Sequence, residues 1–584
     1  MSTAPARGTE QSEWVRCRGC AVLVYGKRLG RSLGVCPECG THHALTAPER
    51  LGQLLDAGTF EELPGSVRSV DRLGFTDTEP YPERLARARR TSGLAEAVVC
   101  GTGELEGHRL ALAVMDFRFM GGSLGTAVGE LVTRTAEAAL AQRLPLLIVT
   151  ASGGARMQEG VLSLMQMAKT STVLGRMNEA GLLTVSLVTD PTYGGVAASY
   201  ATCTDVIIAE AGARLGFAGP RVVAQTIREE LPPGFQTAEF LFARGMVDRC
   251  EDRGALRGVL GGLLAAASAA PGKRAAGAEE PGGTDAAAAD AGAAEASRPA
   301  VVRDPDTLPA GDTWETVKRA RDTGRPTALD YLGRTFDSFL ELHGDRTGGD
   351  SPSVVGGVAT LAGRPVMVLG HQKGHTTREL LDRDFGMPGP EGYRKAVRLM
   401  RLAAKLRLPV ITLVDTPGAH PGVAAEENGQ ALAVSAAILE MTGLRTPVVT
   451  VLTGEGGSGG ALALAVADRV LMLEHSTYSV ISPEGCSAIL WGTAASAPAA
   501  AAALRITAAD LLALEVVDGV VPEPPGGAHR SPAEAADRLR RALNEALAEV
   551  SSSDTEDLVE ARRNRFRAFG TEAPSALPTV SGMK

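Results

Sequence analysis

Two apolar segments of the chain each run directly into a turn that is rich in glycine. The first segment extends from Leu147 to Met157 and the second from Val449 to Ala461. An apolar run that ends in paired glycines and continues into a helical pattern predicts a strand, a tight turn and a helix. Glycine lets backbone N–H groups approach a ligand closely, and the start of a helix adds a positive dipole end. The pattern therefore predicts two anion sites, suited to two developing oxyanions.

The same order of elements occurs twice, which indicates an internal repeat. Leu-Pro-Leu-Leu-Ile-Val from Leu144 aligns with Leu-Pro-Val-Ile-Thr-Leu from Leu408. Ser152-Gly153-Gly154 then falls opposite Thr416-Pro417-Gly418. Strands that alternate with helices are typical of α/β domains. We expect one α/β domain in each half of the chain.

A stretch with helical periodicity follows each aligned strand, between Gln158 and Leu174 and between Tyr393 and Leu406. Its apolar positions recur about three and four residues apart. They are Val161, Leu164, Met165 and Ala168 in the first half and Val397, Met400, Leu402 and Leu406 in the second. We interpret the methionines as core residues. A second strand then leads into Gly194-Gly195 in the first half and into Gly459-Gly460 in the second, and a third strand follows each pair.

Length and composition divide the chain further. A chain of 584 residues is too long for one hydrophobic core and predicts at least two domains. From about Ala265 to Ala310 the sequence holds almost no large apolar residue, which predicts a disordered Ala/Gly/Pro linker. The predicted domains on its two sides cover residues 43–264 and 311–572.

The net charge of −9 argues against a general nucleic-acid coat. The polar start of the chain, Met1 to Glu13, has no apolar signal region, and no apolar run approaches the roughly 20 residues of a membrane helix. We therefore expect a cytoplasmic protein. Four isolated cysteines are expected to be buried thiols; they are Cys100, Cys203, Cys250 and Cys486.

The other four cysteines, Cys17, Cys20, Cys36 and Cys39, form two C-x-x-C pairs. Their spacing fits a four-thiolate zinc ribbon over residues 14–42, and four protein ligands leave no open position for catalysis. We expect one structural Zn²⁺ per chain; redox thiols or a catalytic metal are the alternatives. Several basic residues on the ribbon leave a nucleic-acid or CoA-phosphate contact as an alternative to a solvated face.

A hydrolase is the rival interpretation of the glycine turns. Gly-x-Ser-x-Gly, the pattern of a nucleophile elbow, occurs around Ser123 and Ser458, with Asp468 and His475 or His529 downstream. In a chain with 69 glycines this short match is weak, and it explains neither the repeat nor the cysteines. No Gly-x4-Gly-Lys-Ser/Thr string is present, which argues against a phosphate-binding P-loop.

Longer motifs resemble a known family. Phe119-Met-Gly-Gly-Ser-Leu-Gly125, Ala151-Ser-Gly-Gly-Ala-Arg-Met-Gln-Glu159 and Gly216-Phe-Ala-Gly-Pro-Arg221 resemble the β subunit of bacterial acetyl-CoA carboxylase carboxyltransferase, as does the zinc ribbon. After the linker, Gly370-His-Gln-Lys-Gly374 and Asp415-Thr-Pro-Gly418 resemble the α subunit of the same enzyme. The resemblance runs from Trp14 to about Gly570 except for the linker, and it implies a natural fusion of the two subunits.

This resemblance implies an α/β fold with a crotonase-like ββα superhelix in each half, and transfer of a carboxyl group from carboxybiotin to acetyl-CoA to form malonyl-CoA. Both reactants develop negative charge on an oxygen, and each oxygen needs N–H donors. By analogy, Gly153 and Gly154 form one oxyanion hole, assigned to the thioester, and Gly459 and Gly460 form the other, assigned to biotin. Alternatively, the glycines serve only tight turns. The two glycine turns are not equivalent positions in the repeat, so we expect one active site between the unlike halves.

No catalytic protein base is expected, because biotin can accept the methyl proton after decarboxylation. His371 and His420 lie in family-like motifs, but a lone histidine is more often structural. His420 stands where the α family commonly has tyrosine. The candidates for contact with CoA phosphates or the carrier domain are Arg156, Arg221, Lys373 and Lys395, and each could equally be a surface or capping charge.

The chain has neither a biotinylation motif nor an ATP-binding carboxylase segment. The resemblance therefore implies biotin supplied in trans on a biotin carboxyl carrier protein, charged by a separate biotin carboxylase in an ATP-dependent complex. We expect a homodimer of the fused chain, and membrane or nucleic-acid partners are not expected. Acetyl-CoA is favoured over propionyl-CoA, and a fatty-acid or a polyketide pathway remains open.

Overall fold

The computed structural model describes residues 14–65, 67–219, 223, 232, 234–269, 300–309, 311–551 and 554–570. Most of the predicted linker, residues 270–299 and 310, lies outside these ranges. At its two ends the described chain is folded, because a helix reaches Ala269 and Val302 forms an antiparallel bridge with Val520. No helix in the described ranges is both long enough and apolar enough to cross a bilayer.

The N-terminal ribbon is a small unit with its own core. Strands β1 (Trp14–Arg16) and β2 (Leu23–Tyr25) pair antiparallel and are followed by helix α1 (Gly26–Arg31). Cys17, Val24, Leu29 and Cys36 are buried together in its interior. Because this core is so small, the ribbon depends on its cysteines for stability.

The first half is built on one mixed sheet. Its strands are β3 (Glu61–Glu62), β4 (Val98–Leu105), β5 (His108–Met115), β6 (Leu146–Ser152), β7 (Thr184–Tyr193), β8 (Val206–Glu210), β9 (Leu215–Gly216) and β10 (Arg249–Glu251). The order is β10-β8-β7-β6-β5-β4-β3, with β9 paired to β7. Its helices are α2 (Ala47–Leu54), α3 (Tyr81–Ser92), α4 (Thr126–Gln142), α5 (Gly160–Glu179), α6 (Gly194–Ala197), α7 (Ala238–Ala243) and α8 (Leu256–Ala269).

The second half repeats this sheet. Its strands are β11 (Ser338–Glu341), β12 (Val354–Leu361), β13 (Arg364–His371), β14 (Val410–Thr416), β15 (Val448–Gly457), β16 (Arg469–Leu473), β17 (Thr477–Ser479) and β18 (Gly519–Val521). The order is β11-β12-β13-β14-β15-β16-β18, with β17 paired to β15. Both sheets begin with antiparallel strands and continue as parallel ones.

Helices of the second half connect these strands and cover the sheet. They are α9 (Thr313–Ala320), α10 (Ala328–Thr335), α11 (Thr377–Asp382), α12 (Pro390–Leu406), α13 (Val423–Glu427), α14 (Gln430–Gly443), α15 (Ser458–Leu462), α16 (Pro483–Leu490), α17 (Ala497–Leu504), α18 (Ala508–Ala513), α19 (Pro532–Ser551) and α20 (Thr555–Ala568). The α/β class, the two like halves with their ββα pattern and the N-terminal ribbon are confirmed.

The predicted strands and helices lie close to their expected positions. Strands β6 and β14 begin two residues later than the aligned apolar runs, directly after Pro145 and Pro409, because proline has no N–H for a sheet. All residues of both strands are buried, which explains their continuous apolar pattern. Met165 and Met400 are buried core residues, as expected.

The two halves pack through helix α5. Every residue from Gly160 to Leu174 is buried, because the helix is covered by its own domain, by α14 and by the C-terminal helix α20. Helix α20 returns to the first half, where Arg567 binds Glu130 and Glu137 at 2.7 and 2.6 Å. One hydrophobic core therefore includes residues from both halves.

Candidate active site

The first glycine turn has the same local geometry in both halves. In the first half, the Gly154 N–H donates to Ser152 Oγ at 3.0 Å, and Gly154 has a φ of +121°. In the second half, the Gly418 N–H donates to Thr416 Oγ1 at 3.0 Å, and Gly418 has a φ of +150°. Both φ values lie in the region that favours glycine. The sequence alignment of these two turns is confirmed.

The second glycine turn is aligned differently from the sequence prediction. Thr192 pairs with Ser152 in the first sheet and Gly456 with Thr416 in the second. Counting onward, Gly194 corresponds to Ser458 and Gly195 to Gly459, one residue away from the predicted pairing. Gly194 and Ser458 share a left-handed backbone, with φ values of +59° and +52°. This turn shape is required by the fold, and in the second half a serine adopts it.

The two turns of each half are packed against each other at backbone distance. A Cβ added to Gly194 would lie 3.1 Å from the Gly154 Cα atom. A Cβ added to Gly460 would lie 2.3 Å from the Ala419 nitrogen and 2.7 Å from the Gly418 carbonyl carbon. At these positions the absence of a side chain is needed for the close approach of two backbones.

Across the interface, Met167 of helix α5 lies between the turns of the two halves. A Cβ on Gly195 would lie 3.4 Å from Met167 Sδ, and a Cβ on Gly459 would lie 3.1 Å from Met167 Cε. The same atom on Gly459 would lie 3.5 Å from the ring of Phe217 in the first half. The structure thus brings the glycine turns of the unlike halves into one region.

The backbone amides of these turns differ in their partners. The Gly153 N–H donates to the Gly121 carbonyl at 2.8 Å, and the Gly154 N–H is held by Ser152. Gly195, Gly459 and Gly460 lie instead in the first turn of a helix, where N–H groups lack intrahelical acceptors. Sequence reasoning did not place Gly195 in the site, although it is the repeat counterpart of Gly459.

Each half also has a cavity beside its first glycine turn. The first-half cavity, of about 400 Å³, is lined by Gly121, Gly153 and Ala155 and by the arginines Arg84, Arg87, Arg118 and Arg156. The second-half cavity, of about 250 Å³, is lined by Phe385 and Pro417 and by the charged residues Arg321, Lys373, Asp415 and Glu455. The two cavities are therefore related by the repeat but differ in charge and shape.

Two of the predicted cation contacts are buried structural groups. Arg156 is 1% exposed, and its guanidinium binds Glu96 at 2.8 Å and Ser69 Oγ at 2.7 Å. Burial lowers the pKa of Arg156, but Glu96, Tyr81 and Glu159 together raise it by more, so the net shift is upward. Lys395 is 1% exposed and binds Asp350 at 2.6 Å and the Val354 carbonyl at 2.7 Å. Both cations are thus already paired with carboxylates, and their contact with CoA phosphates or the carrier domain stays a prediction.

Of the other two predicted cations, Lys373 lies at the second-half cavity. Its ammonium binds Asp415 at 2.8 Å and Glu455 at 2.9 Å. Burial lowers the pKa of Lys373, but the two carboxylates raise it by more, which keeps the ammonium charged. Arg221 lies outside the described residues.

The histidines of the family-like motifs have structural surroundings. Burial, with the nearby Lys373 ammonium, lowers the pKa of His371 to about 3, so that its ring is neutral. The His420 ring accepts the Gly422 N–H at its Nδ1 atom at 3.0 Å, and the His420 N–H donates to the Pro388 carbonyl. Neither ring is placed as a general base.

The geometry also argues against the hydrolase interpretation. Arg562 binds both carboxylate oxygens of Asp468, at 2.9 and 2.8 Å, so Asp468 is not free to orient a histidine. The Ser123 hydroxyl accepts a hydrogen bond from Arg156 at 3.0 Å. The left-handed backbone of Ser458 has its counterpart at Gly194 and reflects the repeated turn.

The four predicted zinc ligands converge at one point. The sulfur atoms of Cys17, Cys20, Cys36 and Cys39 lie within 4.8 Å of one another. The Cys17–Cys39 and Cys20–Cys36 pairs are 3.6 and 3.9 Å apart. Four thiolates around one tetrahedral zinc ion stand about 3.8 Å apart, so this cluster fits Zn²⁺.

Family models match two parts of this chain. Residues 14–39 match the model described as the acetyl-CoA carboxylase zinc finger domain. Residues 306–570 match the model described as acetyl co-enzyme A carboxylase carboxyltransferase-like. The two matches fall on the ribbon and on the second half.

Relatives match nearly the whole chain. A protein of Salinispora arenicola named acetyl-coenzyme A carboxylase carboxyl transferase subunits beta/alpha is 60% identical over 568 residues, covering 97% of this chain and 98% of that protein. A protein of the same name from Clostridium tetani is 39% identical, covering 95% and 93%. The corresponding subunit alpha of Thermus thermophilus is 57% identical over 260 residues, covering 44% of this chain and 82% of the subunit.

Solved structures of more distant proteins were also matched. The chain is similar to transcarboxylase 12S, with 23% identity, a TM-score of 0.34 and coverage of 90% of this chain and 92% of that chain. It is also similar to the beta subunit of geranyl-CoA carboxylase from P. aeruginosa, with 18% identity, a TM-score of 0.32 and coverage of 92% and 91%.

Proposed function

This chain belongs to the acetyl-CoA carboxylase carboxyltransferases that join the β and α subunits in one polypeptide, and we propose that its active site lies where the glycine turns of the two halves meet. The protein is the carboxyltransferase component, which moves a carboxyl group from carboxybiotin to acetyl-CoA and forms malonyl-CoA. The observation that carries the proposed location is the position of Met167, in contact range of Gly195 of one half and Gly459 of the other.

The proposed site supplies N–H donors to two oxygens. In this proposal the first-half turn faces the thioester; it consists of Gly153 and Gly154, with Gly195 beside them. The second-half turn, which consists of Gly459 and Gly460, faces the ureido group of biotin. Both oxygens gain charge during the reaction, and fixed backbone donors cost no reorganisation when that charge develops. The bound amides of Gly153 and Gly154 support a role in shaping the turn, with Gly195 as the donor from a helix start.

The chain's own residues bind and orient the reactants in this proposal and supply no general base. Carboxybiotin supplies the carboxyl group, and the biotin that remains after the carboxyl group has left accepts the methyl proton. The neutral, buried His371 and the hydrogen-bonded His420 support this division of roles. Lys373, held by Asp415 and Glu455, lines the second-half cavity. At the first-half cavity, Arg87 and Arg118 are paired with carboxylates but keep 53% and 45% of their side chains exposed, so in this proposal they are the cations that meet CoA phosphates.

The organisation and partners of the chain belong to the same proposal. The domains are the ribbon at residues 14–42, a β-like domain that starts at residue 43 and an α-like domain, joined by a linker. The predicted linker bounds of 265–310 are too wide, because helix α8 continues to Ala269 and Val302 is already bridged to Val520 of the α-like domain. A separate carrier protein brings biotin, a separate biotin carboxylase charges it, and two fused chains form a homodimer. A cytoplasmic location is supported by the eight cysteines, all within the described residues, because none of them forms a disulfide.

The test of the proposed site is the substitution Gly459→Val. The new side chain would occupy the space beside Met167 and Phe217, so we expect kcat for biocytin-dependent malonyl-CoA decarboxylation to fall on the order of 10²-fold. Gly333→Val is the matched control, because a Cβ at Gly333 meets nothing within 4 Å. Wild-type kcat in the Gly459 variant would place the reaction elsewhere.

The four-cysteine cluster is proposed to hold one structural Zn²⁺ per chain. We expect about one zinc per chain in the purified protein and loss of that zinc in Cys36→Ser, together with rapid proteolysis of the ribbon, because a zinc site contributes directly to folding. Elemental analysis and limited proteolysis measure the two effects. Cys250→Ser, outside the cluster, is the control, and zinc retained at full occupancy in Cys36→Ser contradicts the proposal.

A further inference from the structure

Beside the glycine turns, one buried carboxylate of the second half binds the backbone of the first half. Glu426, in helix α13, is 5% exposed. Its Oε1 atom accepts the Ala218 N–H at 2.6 Å, and its Oε2 atom accepts the Phe217 N–H at 3.1 Å. The carboxylate therefore binds two consecutive backbone amides of the opposite half.

The segment that Glu426 binds contacts both glycine turns. The Phe217 carbonyl accepts the Gly194 N–H at 3.1 Å, at the start of helix α6. The Phe217 ring lies 3.5 Å from the position of a Cβ on Gly459. Gln236 holds the same segment by donating to the Ala218 carbonyl at 2.9 Å. A displacement of Phe217 would therefore move the first-half turn and open the contact with the second-half turn.

We propose that Glu426 is a positioning residue for carboxyl transfer, which holds the Phe217-Ala218 segment so that the glycine turns of the two halves keep their relative placement. This inference rests on the proposed location of the active site. Glu426 does not touch the reacting atoms in this proposal; it acts through the backbone of Phe217. Because the carboxylate and its two amides come from different halves, the contact also couples correct assembly of the halves to activity.

The surroundings of Glu426 make this contact sensitive to pH. Among the described residues no lysine or arginine forms an ion pair with it, and its charged or titratable neighbours are the Tyr193 hydroxyl and the Glu427–Arg244 pair. Burial raises the pKa of Glu426, the two backbone amides and the Gln236 side chain lower it, and the net result is a pKa of about 7. Above that pH both oxygens accept hydrogen bonds. Below it one oxygen carries a proton and becomes a donor, so the hold on one amide weakens as the pH falls.

The experiment measures biocytin-dependent malonyl-CoA decarboxylation from about pH 6 to about pH 9 in wild type, Glu426→Gln and Glu427→Gln. In wild type we expect kcat to fall as the pH drops through about 7. In Glu426→Gln we expect kcat to be roughly 10- to 100-fold lower than in wild type above about pH 8, with KM for malonyl-CoA little changed. We also expect the fall of kcat at acid pH, here called the acid limb, to be absent from this variant. Glu427, which forms a half-exposed pair with Arg244, is the neighbouring control, and its variant is expected to follow wild type.

An acid limb in Glu426→Gln that matches wild type would overturn the inference. Gel filtration and circular dichroism check that the variants are folded. If Glu426→Gln does not fold, Glu426→Asp keeps the charge on a shorter side chain, and for it we expect reduced kcat with a shifted limb; an unshifted wild-type profile there would also overturn the inference. A wild-type profile in the Glu426 variants together with an inactive Gly459→Val rejects only the role of Glu426, whereas an active Gly459→Val rejects the site itself.

Discussion

Gly460→Val is expected to reduce carboxyl transfer by roughly 10³-fold while leaving the rest of the fold in place. The added Cβ would lie 2.3 Å from the Ala419 nitrogen and 2.7 Å from the Gly418 carbonyl carbon. Both atoms belong to backbone, which cannot rotate away as the end of a side chain can. The two turns of the second half must then separate, and the N–H donors at the start of helix α15 move away from the oxygen that they stabilise.

The measurement for Gly460→Val is biocytin-dependent decarboxylation of malonyl-CoA, with kcat and KM determined separately. We expect the loss in kcat, because the donors act in the transition state. The effect should exceed that of Gly459→Val, whose Cβ meets the flexible end of Met167. A folded Gly460 variant with kcat within about threefold of wild type would contradict a role for this turn in an oxyanion hole.

The sequence predicts the repeated elements well because their signals are local. Apolar runs buried on both faces, proline at the strand starts and paired glycines at the strand ends each reflect the conformation of a few consecutive residues. The alignment of the second turn is off by one because Ser458 takes the left-handed backbone that glycine takes at Gly194. The residue type at a single position could not reveal this one-residue shift. The pairing of Gly456 with Thr416 in the sheet reveals it.

The roles of the charged residues could not be predicted in the same way. Arg156 lies in a glycine-rich motif that points to a ligand, yet its partner Glu96 is 60 residues away in the sequence. Lys395 is bound by Asp350, 45 residues away. Whether a cation faces solvent or a buried carboxylate depends on packing between distant elements. For the same reason, the sequence identifies Met167 as apolar but does not show that its helix lies between the two halves.

Arg562→Met is expected to give the largest loss of stability, about 3–5 kcal/mol, because it leaves a buried carboxylate without its partner. The Arg562 guanidinium binds both oxygens of Asp468 at 2.9 and 2.8 Å and donates to three backbone carbonyls between 2.8 and 2.9 Å. These carbonyls belong to Met441, Leu444 and Thr446, at the end of helix α14 and the start of the next segment. One side chain of the C-terminal helix therefore donates to five acceptors on buried residues.

Urea unfolding followed by circular dichroism measures this loss as a lower midpoint for Arg562→Met. Arg401→Met is the matched control, because Arg401 is 69% exposed in its pair with Glu440 and such pairs contribute about 0–1 kcal/mol. Replacing Asp468 as well, by leucine, removes the unpaired charge and should recover part of the loss, although the three carbonyls still lack the guanidinium as a donor. Equal midpoints for Arg562→Met and Arg401→Met would contradict the assignment. Since helix α20 also carries Arg567 to Glu130 of the first half, the unfolding of this helix should release the contact between the halves and abolish carboxyl transfer at the same urea concentration.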